Sequence, residues 1–304
     1  MRRGSVVVLL GAILAAGGCG SSDEEGPAVV GVGGDGGPGI YRHDADGSVR
    51  RLTRNKSDEF PTWSPDGSKV AFDRVVFAPD AAVGEVHLFV VNRDGGGLRD
   101  VVGHASLTAF SWSPDGRRLA YRDGEGTIRT IGIDGTNAKL VYRSVLAHEP
   151  AWSPDGRTIV FFEDTFSLDS NGRLLAARAD RAGVRTLLAL KDDDAYLAAS
   201  PSWSPDGKRI AFVRGNPDSA AYPTALEVVR ADGSGRHVLW KLRVPESDLD
   251  LVRPQWSPEG DSITYADVQE GAFGLWSIST EGGEPRLLLE RVKDAMPSWA
   301  RDGG

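Results

Sequence analysis

Cysteine is nearly absent: Cys19 is the only one in 304 residues. One thiol cannot close an internal disulfide, so the fold must be held by packing. Long hydrophobic runs are missing as well. The apolar stretch after Met1-Arg2-Arg3 runs from Val6 to Ala16, eleven residues, whereas a bilayer-spanning helix needs about 20. Basic charge is in deficit, with 35 Lys and Arg against 43 Asp and Glu, a net charge of −8. Such a surface lacks the basic face that a nucleic-acid backbone demands, which excludes that class of partner. No segment carries helical periodicity. The five histidines, His43, His87, His104, His148 and His237, show no metal-ligand spacing. No G-x-S-x-G elbow is present, which argues against a propeller-capped hydrolase.

The ends carry the first positive signals. A basic start, a short apolar core and the small residues Ala16-Gly17-Gly18 before Cys19 read as an export signal over residues 1–18. The stretch resembles a bacterial lipobox, with Ala16 where leucine is usual. The resemblance implies a diacylglycerol on Cys19 through a thioether; ordinary small-residue cleavage leaving a free thiol is the alternative. Residues 19–27 then form the lipidated cysteine and a polar tether, GSSDEEGP. Removing residues 1–18 takes away two arginines and no acid, which moves the charge to −10.

A tryptophan motif dominates the remainder. Pro61-Thr62-Trp63-Ser64-Pro65-Asp66-Gly67 recurs around Trp112-Ser113-Pro114-Asp115-Gly116, Trp152 with Asp155-Gly156, Trp203 with Asp206-Gly207, and Trp256 with Glu259-Gly260. A shortened copy holds Trp299. The spacings are 49, 40, 51, 53 and 43 residues, a period that points to a propeller, solenoid or array. Ser-Pro-Asp-Gly predicts a turn: Pro presets φ, Asp suits the next position and Gly takes the left-handed residue. Proline before the tryptophan is expected at the first residue of its strand. A short apolar strand follows each turn, such as Lys69 to Phe72 or Thr158 to Phe161, and its continuous apolarity suits burial on both faces. A third strand and a fourth complete each repeat: Val86–Val91 then Leu98–Val102, Ile128–Ile133 then Lys139–Tyr142, and so on to Phe273–Ile278 then Arg286–Leu289.

The expectation is an all-β, six-bladed β-propeller of four-stranded antiparallel blades spanning residues 28–304. Residues 28–53 supply strands B, C and D without a strand A, and the Trp299 segment supplies a strand A with nothing after it. Ring closure by this C-terminal strand on the N-terminal three is therefore predicted, which also removes exposed sheet edges.

The motif and its following strand resemble the repeats of TolB-type envelope proteins, called PD40 or WD40-like repeats, over nearly all of residues 28–304. The resemblance implies the six-bladed architecture and a role as an envelope binding module. It does not extend to the family's additional α/β domain, which nothing in this sequence encodes, nor to its usual soluble periplasmic form.

Signals for chemistry are weak. Gly31-Val32-Gly33-Gly34-Asp35-Gly36 matches G-x-G-x-x-G, but Pro38 and a strand-like segment follow where a dinucleotide site needs a helix. Asp44-Ala45-Asp46-Gly47 lacks the later ligands of a calcium loop, and Asp192-Asp193-Asp194 reads as a solvated acidic loop. No cofactor, metal or catalytic residue is expected.

Geometry narrows the search for a ligand. Residues just before each tryptophan should line one mouth of a central channel: Asp58 or Glu59 with Phe60, His148 and Glu149, Arg253, and Met296. The long loops 74–85, 164–171, 191–200, 214–224 and 243–253 belong to the same end, with Phe77, Tyr196 and Tyr222 as aromatic anchors. The predicted protein is a non-catalytic, monomeric, exported lipoprotein of the cell envelope that binds a protein or peptide at this mouth. A sensor or carrier of a small ligand such as a glycan is the second reading, and a top-face metal enzyme the third.

Overall fold

The computed structural model describes residues 29–32, 37–44, 47–79, 83–164, 172–180, 183–190, 197–215, 224–242, 252–269 and 272–290. Cys19, Asp192 to Asp194, Tyr196, Tyr222, Met296 and the Trp299 segment fall outside them. Every regular element among the described residues is a strand. The first sheet holds β1 (Val29–Val32), β2 (Ile40–His43) and β3 (Val49–Arg51). The second holds seven strands in antiparallel order: β4 (Asp58–Trp63), β5 (Lys69–Val76), β6 (Glu85–Asn92), β7 (Arg99–Trp112), β8 (Arg118–Asp123), β9 (Ile128–Gly132) and β10 (Lys139–Tyr142). Three four-stranded sheets follow. They are β11 (Ala147–Trp152) to β14 (Val184–Ala189), β15 (Leu197–Trp203) to β18 (His237–Lys241), and β19 (Gln255–Trp256) to β22 (Arg286–Glu290). Within them lie β12 (Thr158–Glu163), β13 (Arg173–Arg178), β16 (Arg209–Gly215), β17 (Ala225–Arg230), β20 (Ser262–Gln269) and β21 (Ala272–Ser279).

Successive sheets pack face to face, with their tryptophan strands as neighbours: β7 against β11, β11 against β15, β15 against β19. The second strand of each repeat carries a central apolar run because it is covered on both sides. In β12, Ile159 and Phe161 join the cluster shared with the preceding sheet, while Val160 and Phe162 join the one shared with the next. All four are at most 1% exposed. Burying such side chains stabilises by about 1.5–3 kcal/mol each before entropy is counted, so this strand is the main source of cohesion.

The motif turns have a common hydrogen-bond set. Gly67 N donates to Ser64 O at 2.9 Å, Ser64 Oγ donates to Asp66 Oδ1 at 2.6 Å, and Lys69 N donates to Ser64 Oγ at 2.9 Å. Ser113, Ser153 and Ser204 repeat it with Asp115, Asp155 and Asp206. Gly67, Gly116, Gly156, Gly207 and Gly260 all have φ between 65° and 74°, the left-handed conformation expected of them. In the fifth repeat Glu259 replaces the aspartate, and Asp261 takes over the serine at 2.7 Å. The turns also stack: a Cβ on Gly156 would lie 3.3 Å from Pro114 of the preceding turn.

Neighbouring repeats are latched through the tryptophans. Trp112 Nε1 donates to Thr62 O at 3.1 Å and Trp256 Nε1 to Ser202 O at 3.0 Å, each reaching one repeat back. Guanidinium groups of the preceding repeat cover the indoles, Arg118 at 4.6 Å from the Trp152 centroid and Arg209 at 4.8 Å from that of Trp256.

Three expectations need correction. The fourth strand expected at Leu98–Val102 does not end there, because β7 continues to Trp112 and joins two repeats into one sheet. The 74–85 loop is shorter at its start, since Val75 and Val76 extend β5 and pair with Val86 and Glu85; β-branched residues favour this. The motif prolines do not start their strands. Pro61, Pro150 and Pro201 lie inside β4, β11 and β15, each within a bulge where no ladder N–H is required.

Candidate functional site

The bulges in three repeats carry unusual backbone. In β4 the register jumps from the pair Glu59–Asp73 to the pair Thr62–Ala71, leaving one residue extra. The same jump follows His148 in β11 and Ala199 in β15. Directly before each proline the chain turns left-handed: Phe60 at φ 54°, Glu149 at 51° and Ser200 at 56°. A residue before proline normally sits in the β region, and a non-glycine residue at positive φ costs on the order of 1–3 kcal/mol. Three equivalent positions hold this strain at the same end of their tryptophan strands, of which β11 and β15 are neighbours.

The strain turns side chains toward one another across repeats. The Glu149 carboxylate accepts a hydrogen bond from the Ser200 backbone N–H of the next repeat. The Arg253 guanidinium carbon, at the equivalent position of the last described repeat, lies 5.7 Å from the Phe60 ring centroid. That contact joins residues from opposite ends of the repeat series. Two hydroxyls, Ser111 Oγ and Ser200 Oγ, are buried here without a hydrogen-bond partner.

His148 and Glu59 sit differently. His148 leans on its own sheet, its ring 6.1 Å from Phe162 and Nε2 3.2 Å from Asp164 Oδ1. Burial pulls its pKa down, but the bond to Asp164 and the charges of Glu149 and Asp164 outweigh this and raise it above the usual value. Glu59 is exposed. Phe77 is 59% exposed at the end of the β5–β6 hairpin. Sequence reasoning reaches Ser200 only as the end of the 191–200 stretch, although its place one residue before a motif proline matches that of Phe60 and Glu149.

Elsewhere the charged groups are engaged. Asp44 takes Arg42 at 2.6 Å and Arg93 at 3.7 Å. His87 Nδ1 lies 2.6 Å from Asp100, and His237 Nδ1 3.0 Å from Gly235 O. No group of three His, Cys, Asp or Glu among the described residues is placed to hold a metal ion.

Antiparallel sheets stacked face to face, with their tryptophan strands innermost, define a β-propeller. The family model described as the TolB β-propeller domain matches residues 24–194, more than half of the chain, and the chain belongs to that family. An uncharacterized protein of Agrobacterium fabrum is 29% identical over 66% of this chain and 67% of its own length. The Tol-Pal system protein TolB of Anaeromyxobacter dehalogenans is 31% identical over 80% of this chain, but over only 47% of its own length. An uncharacterized peptidase of Bacillus subtilis, YuxL, matches 40% of the chain at 30% identity, again over only 18% of its own length. The crystal structure of TolB from Acinetobacter baumannii superposes with a TM-score of 0.68 over 90% of this chain and 66% of its own, at 19% identity. An oligogalacturonate lyase in complex with manganese superposes at 0.58 over 88% of this chain and 74% of its own, at 14% identity. The fold is therefore shared by proteins named as a Tol-Pal system protein, a peptidase and a lyase.

Proposed function

We propose that this chain is a six-bladed propeller closed by residues 297–304 pairing beside β1, and that it works as a non-catalytic binding module. It is exported, held to the membrane through lipid on Cys19, and takes a peptide or loop of an envelope protein at the mouth formed by Phe60, Glu149, Ser200 and Arg253. The observation that carries the reading is the shared left-handed backbone at Phe60, Glu149 and Ser200. Strain kept at equivalent points of three repeats is the mark of a functional site rather than of packing. The likeness to TolB, named as a Tol-Pal system protein, supports an extracytoplasmic place and an envelope protein as partner. The buried hydroxyls of Ser111 and Ser200 favour a second reading, a small polar ligand in the mouth.

Crosslinking and affinity capture of the lipidated protein from its native envelope test this, beside a variant with Glu59, His148, Glu149 and Arg253 all changed to alanine. Capture of a protein by the wild type and its loss in the variant is the expected result. A partner retained by the variant refutes the mouth as the working face. Capture of nothing, with thermal stabilisation by a soluble glycan, transfers the site to the small ligand. Closure is tested separately: removing residues 297–304 should lower the melting temperature sharply, and an unchanged melt refutes it.

A further inference from the structure

A cavity lies at the same end of the molecule, in the seam between the 55–57 turn and the second sheet. It measures about 520 Å³, within the range of small-molecule sites. One wall is the 55–57 turn that leads into β4; the other is the end of β5 from Arg74 to Phe77, with Phe89 of β6 and Asp100 of β7 beside it. The mouth residues do not line it.

Its chemistry is one-sided. Arg74 is fixed: Nε donates to Asp58 Oδ1 at 2.5 Å and Nη2 to Oδ2 at 3.0 Å. Asp58 is 0% exposed and also accepts from the Thr53 hydroxyl. The guanidinium lies 4.4 Å from the Phe89 centroid and 5.4 Å from that of Phe72. Nη1 makes none of these contacts and remains a donor on a pre-set group. Asn55 Oδ1 is occupied by Ser57 N at 2.9 Å, which leaves its amide N–H groups to donate. The Ser57 hydroxyl and the exposed Lys56 ammonium complete a set of donors. Asp100, the acid on the rim, is already engaged by His87 at 2.6 Å.

Charge limits the anion. Arg74 is paired with Asp58, and Asp100 on the rim adds a negative charge that His87 cancels only when protonated. The donors therefore suit a singly charged group held by hydrogen bonds, and a phosphate dianion is disfavoured. Val76, Phe77 and Phe89 form an apolar wall beside the donors, with Phe77 59% exposed and so without a partner of its own kind. We propose that this seam is a binding site for a carboxylate that carries an apolar or aromatic side chain, either a free acid or the C-terminal residue of a peptide. The carboxylate meets Lys56 and the free edge of Arg74 and the side chain lies on Phe77 and Val76.

Saturation-transfer NMR titration of the mature protein with N-acetyl-L-phenylalanine tests the site. Saturable binding is expected, about tenfold weaker for N-acetyl-L-phenylalaninamide, which lacks the charge. Lys56→Ala should weaken the acid about fivefold, as befits an exposed cation, and Phe77→Ser should weaken acid and amide alike. A short peptide ending in phenylalanine separates the sources: tighter binding than the free acid assigns the site to a chain terminus, and equal binding to a free acid. Equal binding of acid and amide, indifference to Lys56→Ala, or no saturation overturns the proposal. Lys56→Ala does not touch the mouth, so envelope-partner capture stays intact in that variant and the two readings fail independently.

Discussion

Ser204→Ala tests the physical account of the repeat most directly. Ser204 is 0% exposed. Its hydroxyl donates to Asp206 Oδ1 at 2.6 Å and accepts from Arg209 N at 2.9 Å. Alanine deletes a bond to a charged acceptor, about 1.5–3 kcal/mol, and leaves a backbone N–H without its acceptor, about 1–3 kcal/mol. The turn lies near solvent and water recovers part of this, so a loss of about 2–3 kcal/mol is expected, near 5–10 °C in melting temperature. The pH dependence adds a second constraint. The bond from Ser204, then the N–H of Lys208, hold the Asp206 pKa below its usual value. A depressed carboxylate stabilises above its unfolded pKa, near 3.9, and loses that contribution as pH falls through the folded value. The gap between wild type and Ser204→Ala should therefore be full at pH 7 and shrink below about pH 4. Thermal melts by circular dichroism from pH 7 to pH 3, with Asp206→Asn and the double variant, close the cycle. A destabilisation under about 0.5 kcal/mol, ordinary for a surface substitution, or a gap that ignores pH, refutes the reasoning.

Other predictions follow from single side chains. Trp256→Phe removes the donor to Ser202 O and the pyrrole half of a buried indole; a loss of about 2–3 kcal/mol is expected in urea unfolding. Tyr265→Phe should leave stability equal or raise it by about 1 kcal/mol, because the hydroxyl is buried without a partner; a clear loss would reveal an acceptor. His148 should titrate above 6.5 by NMR, and Asp164→Asn should bring it down. Its stabilising contribution is then complete below pH 6.5 and disappears as pH rises through the folded pKa; titration below 6.5 in the wild type refutes the assignment.

Most strands could be read from the sequence because turn chemistry and pattern agree. Lys139–Tyr142 has the same bounds in expectation and structure, and four of the other outer strands differ by one or two residues at an end. The exception is β7, which tertiary pairing carries past the expected end at Val102 to Trp112. The site was legible only in part. Counting back from each tryptophan finds Phe60, Glu149 and Arg253, but not their conformation, since proline argues for extended backbone at the residue before it. The seam cavity was invisible, because it depends on Arg74 being pinned by Asp58, sixteen residues away and on another strand. Even the exchange of Glu259 for Asp261 shows the limit: the motif letter is lost while the hydrogen bond survives.

The fourteen-residue strand β7 has a mechanical consequence. Elsewhere the chain leaves one sheet before it enters the next, so a sheet can loosen without dragging its neighbour. Across β7 the backbone stays in one strand, with a register shift against β8 between Ala105 and Phe110. A pull on β6 is passed along one backbone to β8, and the pair should exchange amide hydrogens as a single block. The propeller thus has one stiff double-width sector, directly beside the seam cavity.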